Sequence, residues 1–111
     1  MIILLSALLT LQTAMDERDD FTASIERLRT CVDQAVIRLV PSGEAADIIA
    51  DAAKTTCDTE RTAVLDGAVR QAPSPESGAR IAGPIMAGLD EEVRARAVLQ
   101  VTQIRATHRR P

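Results

Sequence analysis

Two cysteines are the residues whose type and spacing most directly imply chemistry in this chain. Cys31 and Cys57 are 26 positions apart, and both fall on segments with the apolar periodicity of amphipathic helices. The sequence contains no Cys-x-x-Cys motif, and His108 is the single histidine, so the ligands of a Cys/His zinc site are missing. The pattern favours one disulfide between two helices, which is the chemistry of an oxidising compartment.

The first residues of the chain look like an export signal. Residues 2–14, with the sequence IILLSALLTLQTA, are apolar over the length of a signal-peptide core and end in small residues. The run is shorter than the roughly 20 apolar residues of a transmembrane helix. We therefore predict a signal peptide over residues 1–14 and a single mature domain over residues 15–111, exported to the bacterial periplasm or secreted.

Because no Lys or Arg precedes the apolar run, two alternatives stay open. In the first alternative the apolar run is an N-terminal helix packed in the core of a cytosolic protein. In the second it is an uncleaved membrane anchor. If the signal is cleaved, we expect no stable membrane insertion of the mature domain. Twelve arginines against the single Lys54 are typical of a GC-rich bacterial genome.

The composition predicts a thin hydrophobic core. A chain of 111 residues fits one small domain, and alanine supplies much of its apolar content. A bridge from Cys31 to Cys57 is worth about 3.5 kcal/mol in the chain-entropy model. That is a large part of the stability expected for so small a domain.

The charged residues exclude several classes of function. The net charge is −3, and Phe21 is the only aromatic residue, so the chain lacks the basic patch and stacking platform of a nucleic-acid-binding protein. The acidic residues between positions 44 and 58 lie among Lys54 and Arg61 and do not follow the pattern of a calcium loop. We predict no catalytic residue, no cofactor and no metal site.

The periodicity predicts an all-α fold. An apolar stripe with residues three and four positions apart consists of Phe21, Ile25, Leu28, Val32, Ala35 and Leu39. It indicates a first helix over residues 16–39, which Pro41-Ser42-Gly43 ends. A second helix, from about Gly43 to Gln71, completes an antiparallel hairpin over residues 16–71. A third, C-terminal helix makes a small three-helix bundle behind the apolar, signal-like N-terminal helix.

The C-terminal part of the chain is predicted to be less regular than the hairpin. Residues 72–79 have the composition of a linker, and residues 80–108 are predicted to be helical. Gly83-Pro84 and Gly88 interrupt that segment, which indicates a short turn of helix and a fresh helix start near Asp90.

The spacing of the cysteines leaves their pairing open. A turn centred near Pro41 places residue 52, and not Cys57, level with Cys31. Five residues of helix give an axial offset of about 7.5 Å, whereas the Cα atoms of a disulfide usually lie within about 6.8 Å. Either the helices slide or cross at an angle, or the second helix begins later, or the two cysteines are not partners.

One apolar segment is a candidate surface for a protein partner. Ile81, Ile85, Met86 and Leu89 follow the linker and include an adaptable methionine. The alternative is that these four side chains complete the core of the bundle.

The sequence predicts a small, non-catalytic exported protein with a structural or partner-binding role, stabilised by one disulfide. Its protein partner is unidentified, and we expect a monomer or weak dimer. One alternative is a periplasmic chaperone or stress-type binding protein, which would form a dimer with a concave apolar face. A less favoured alternative is a small helical enzyme of the mutase type, for which Arg27, Arg38 and Glu60 are the residues to nominate.

Overall fold

The computed structural model describes the backbone of residues 2–109 and the side chains of residues 18–109. Within this part the protein is all-helical, as predicted. Its four α-helices are α1 (Ile2–Leu39), α2 (Ala46–Thr56), α3 (Asp58–Gln71) and α4 (Pro75–His108). The signal segment predicted over residues 1–14 lies outside the residues whose side chains are described.

A proline and a glycine determine the connection from α1 to α2. α1 ends at Leu39, as predicted, because Pro41 has no N–H to continue the helix. A 3-10 turn over Val40–Ser42 follows, and Gly43 adopts the left-handed conformation with φ of 77°. The Gly43 N–H donates to the carbonyl of Val40 at 3.2 Å. α2 therefore begins at Ala46, three residues later than the sequence pattern indicated.

The second predicted helix is divided at Cys57. This residue has φ of −99° and ψ of 25°, which separates α2 from α3 by one position. Helical hydrogen bonding nevertheless continues across it: the Cys57 N–H donates to Ala53 O at 3.0 Å, and its carbonyl accepts from the Arg61 N–H at 3.0 Å. The prediction of one continuous helix to Gln71 is corrected to two helices with a local irregularity between them.

α4 begins earlier than predicted because Ser74 caps it. The Ser74 hydroxyl accepts a hydrogen bond from the Ser77 N–H at 3.1 Å, and Pro75 occupies the first helical position. The predicted linker over residues 72–79 is thus reduced to residues 72–74.

The predicted interruption at Gly83-Pro84 is wrong. α4 continues through Pro84 and is 34 residues long. An internal proline costs about 3 kcal/mol in a helix. Side chains on both sides of it, Ala82 and Met86, are buried, and this packing holds the helix together across the proline.

The helices share one hydrophobic core to which each contributes. The apolar stripe predicted for α1 is confirmed, since Leu28, Val32 and Ala35 are buried. The remaining buried apolar residues are Val36, Ile49, Ala50, Ala53, Cys57, Val64, Ala68, Ala82, Met86, Leu89, Val93, Ala97 and Val101. Valine and alanine dominate this set, so the core is built from small side chains, as the composition indicated.

Side-chain contacts establish the directions of the helices. Arg29 and Asp33 of α1 pair with Glu92 and Arg96 of α4, so both helices advance by one turn together and run parallel. Nearer the N-terminus of α1, Phe21 packs against Gly67 of α3, where an added Cβ would meet the Phe21 ring at 3.0 Å. Cys31, which follows Phe21 in α1, lies beside Cys57, which precedes Gly67, with the Cα atoms of the two cysteines 5.9 Å apart. The combined α2–α3 segment therefore runs antiparallel to α1 and, because α4 is parallel to α1, also to α4.

We predict that Leu28→Ala lowers the free energy of unfolding by about 2–4 kcal/mol, because it removes buried methyl groups and leaves a cavity. Leu28 is 2% exposed. Urea unfolding followed by circular dichroism measures the change. Leu99→Ala is the matched control, since Leu99 is 57% exposed and its truncation should cost under about 0.5 kcal/mol. Equal losses in the two variants would contradict the assignment of the α1 core face.

Candidate functional site

The two cysteines form the disulfide that the sequence predicted. The S–S distance is 2.11 Å and the Cα atoms are 5.9 Å apart, within the usual range for a bridge. The bond joins α1 to the junction between α2 and α3. Two features remove the offset expected from the sequence: α2 starts later, and the helix is irregular at Cys57.

A shallow depression lies over this disulfide. Cys57 is fully buried, whereas Cys31 is half-buried and lines the depression, whose volume is about 350 Å³. The other residues that line it are Glu26, Arg27, Thr30, Gln34 and Glu60. A carboxylate oxygen of Glu60 lies within 4.8 Å of both sulfur atoms. The disulfide thus has an acidic group beside it and a face open to solvent.

The three residues nominated for a helical enzyme do not lie in one place. Arg27 and Glu60 line the depression, and the Arg27 Nη2 donates to Ser24 Oγ at 3.2 Å. Arg38 is 11 residues further along α1, which corresponds to about 16 Å along the helix axis. The set therefore does not converge on one ligand.

The candidate partner surface divides into core and surface residues. Met86 and Leu89 are 5% and 7% exposed and belong to the hydrophobic core. Ile81 and Ile85 are 44% and 37% exposed. The proposed patch of four residues is corrected accordingly, because only its two isoleucines present apolar surface to solvent.

Ion pairs connect α4 to each of the other helices. The guanidinium of Arg29 donates to Glu92 at 3.0 and 2.7 Å, and that of Arg96 donates to Asp33 at 3.0 and 2.8 Å. These two pairs join α4 to α1. On the other flank of α4, Asp90 pairs with Arg61 of α3 and with Lys54 of α2. Arg94 pairs with Asp51 of α2.

Asp90 is the least exposed acidic member of these pairs. Its two carboxylate oxygens accept from Arg61 at 2.8 and 2.7 Å. Hydrogen bonds from Arg61 lower the pKa of Asp90, burial opposes that change, and the positive charges of Arg61 and Lys54 lower the pKa further. The ionised carboxylate is therefore favoured by the folded state.

The same charged residues surround a second depression, between α2 and α4. Its volume is about 200 Å³, and Ala50 and Val93 contribute its apolar surface. Asp51, Lys54 and Arg94 are among the charged residues that line it. The Asp51–Arg94 and Lys54–Asp90 pairs neutralise these groups mutually, which leaves little net charge to attract an ionic ligand.

Sequence reasoning missed these interhelical pairs, as it missed the place of Glu60 beside the sulfur atoms. The paired residues are 29 to 63 positions apart, so no local pattern signals them. Glu60 was within reach of such reasoning, because a residue three positions after Cys57 on a helix lies on the same side.

Comparison of the chain with protein-family models, with curated proteins and with solved structures gives no match. Among the residues that the structure describes, no helix has the combination of length and apolarity needed to cross a bilayer.

We predict that Asp90→Asn lowers the free energy of unfolding by about 0.5–1 kcal/mol at pH 7, since it weakens a charge-assisted pair that is partly open to solvent. The lowered pKa means that this contribution is complete above the ordinary value of 3.8 and is lost as the pH falls through the folded-state pKa. The difference between variant and wild type should therefore shrink below pH ~4.

Denaturant unfolding at pH 7 and at pH ~3 measures this difference. Glu91→Gln, at the neighbouring exposed position, is the control and should change stability little at either pH. A difference for Asp90→Asn that persists unchanged into acid would contradict the role assigned to the Arg61–Asp90 pair.

Proposed function

We propose that this protein is a small exported helical protein with a non-catalytic, structural or partner-binding role. The observation that carries the proposal is the disulfide between Cys31 and Cys57. Such bonds persist in the periplasm and outside the cell, whereas cytosolic reductants keep most thiols reduced. A disulfide that joins two helices of a small domain therefore favours an oxidising compartment.

The distribution of charged and apolar groups supports a binding or structural role. The charged side chains of α4 that face other helices form ion pairs with them. α1, the combined α2–α3 segment and α4 together form a three-helix bundle. Ile81 and Ile85 present apolar surface on one side of α4. These two isoleucines are the residues that we assign to contact with an as yet unidentified protein partner. Among the side chains that the structure describes, Ile37, Ile48, Val69 and Leu99 are the other large apolar ones exposed to solvent.

The intact mass of the protein in separated fractions of a bacterial host tests export. We expect the periplasmic fraction to contain a chain that starts near Met15 and is lighter by two hydrogen atoms before reduction than after it. Signal recognition depends on the apolar run, so Leu8→Arg combined with Leu9→Arg should abolish export and leave a full-length chain. A full-length wild-type chain with free thiols in the cytoplasm would contradict the proposal.

A further inference from the structure

We propose that, when the disulfide is reduced, Cys31, Cys57 and Glu60 bind one divalent cation of the zinc class. The two sulfur atoms and a carboxylate oxygen of Glu60 all lie within 4.8 Å of one another. Zinc binds thiolate sulfur at about 2.3 Å and carboxylate oxygen at about 2.0–2.2 Å, so tetrahedral ligand atoms are about 3.6–3.8 Å apart. Small rotations of three side chains would bring the donor atoms to that spacing.

The backbone holds the three donors on two elements. Cys57 and Glu60 are the N-cap and the third residue of α3, and Cys31 projects from α1 with its Cα atom 5.9 Å from that of Cys57. As ligands, the Cys57 thiolate and the Glu60 carboxylate are both negatively charged, which suits a divalent cation. Cys31 and Glu60 line the depression of about 350 Å³, so solvent and a cation reach the site from that side.

Glu60 differs from other acidic groups near the helix interfaces in its partners. Asp33 and Asp90 accept two hydrogen bonds each from arginines. The half-buried carboxylate of Glu60 faces the depression and forms no ion pair with the other residues that the structure describes. It can therefore bind a cation beside the two sulfur atoms without the loss of an existing ion pair.

Reduction and cation binding are separate steps. A dithiol reductant transfers two electrons and two protons to the Cys31–Cys57 bond, which gives two thiols, while the reductant becomes a disulfide. The cation then displaces the two thiol protons to solvent and binds two thiolates, the Glu60 carboxylate and, at the fourth position, water. The disulfide and the metal site exclude each other because both use the same sulfur atoms. α1 is thus linked to α3 in either redox state, whether or not the protein is exported.

Cobalt(II) is the probe for this site, because it replaces zinc and its absorption reports thiolate ligands and tetrahedral geometry. The full chain is reduced with a phosphine under nitrogen and titrated with Co²⁺ alone. We expect one Co²⁺ per chain with thiolate-to-cobalt absorption, and displacement of this ion by Zn²⁺. The oxidised protein should show no such absorption, and Cys31→Ser should lose it.

The residue-specific test is Glu60→Gln, which keeps the size of the side chain and removes the anionic ligand. We expect about a tenfold or greater loss of Co²⁺ affinity, by analogy with the loss of supporting groups in metal sites. Asp58→Asn is the matched control, since it removes the same charge from the first turn of α3 at an exposed position outside the site. The Co²⁺ affinity of Asp58→Asn should remain within about twofold of that of the wild type. An unchanged melting temperature of oxidised Glu60→Gln establishes that its fold is intact.

Three results would overturn the proposal. One is a reduced wild-type chain that gives no thiolate-to-cobalt absorption, including a chain that unfolds on reduction and stays unfolded with the metal. Another is an equal affinity of wild type and Glu60→Gln. The third is one metal ion shared by two chains in native mass spectrometry, because the four ligands would then come from cysteines of two molecules.

Discussion

The covalent bond between Cys31 and Cys57 fixes α1 against the junction of α2 and α3. The core around it is made largely of valine and alanine, whose burial stabilises a fold less than that of larger side chains. In the chain-entropy model, closing the loop between the two cysteines stabilises the fold by about 3.5 kcal/mol. This is a large fraction of the free energy of unfolding of a small domain. The helices therefore depend on this bond to hold a thin core together.

α4 depends on that arrangement because its partners lie on both of its flanks. Glu92 and Arg96 pair with α1, whereas Asp90 and Arg94 pair with α2 and α3. Ion pairs that are partly exposed stabilise a fold by at most about 1 kcal/mol each. Their main effect is to set the register of α4, since pairs on two flanks are satisfied together only when α1 and the α2–α3 segment keep their relative position. The disulfide fixes that position.

Local signals account for the part of the structure that the sequence predicted. Pro41 ends α1, the spacing of its apolar residues identifies the buried face, and the cysteines identify the bridge. The passage of α4 through Pro84 was not predictable, because it depends on packing against distant residues rather than on local preference. The Ser74 cap was a local signal that the linker composition obscured. At the candidate site, the sequence identified both sulfurs but assigned Glu60 only to an enzyme alternative, since its approach to Cys31 depends on how α1 and α3 pack.

The most direct test of this account is the free energy of unfolding of the oxidised wild type against the Cys31→Ser, Cys57→Ser double variant, measured in urea at neutral pH. The account predicts a loss of about 2–4 kcal/mol with the helical content of the folded state retained. A loss under about 0.5 kcal/mol would contradict it, because the core and the ion pairs would then suffice to hold α1 in place without the bond.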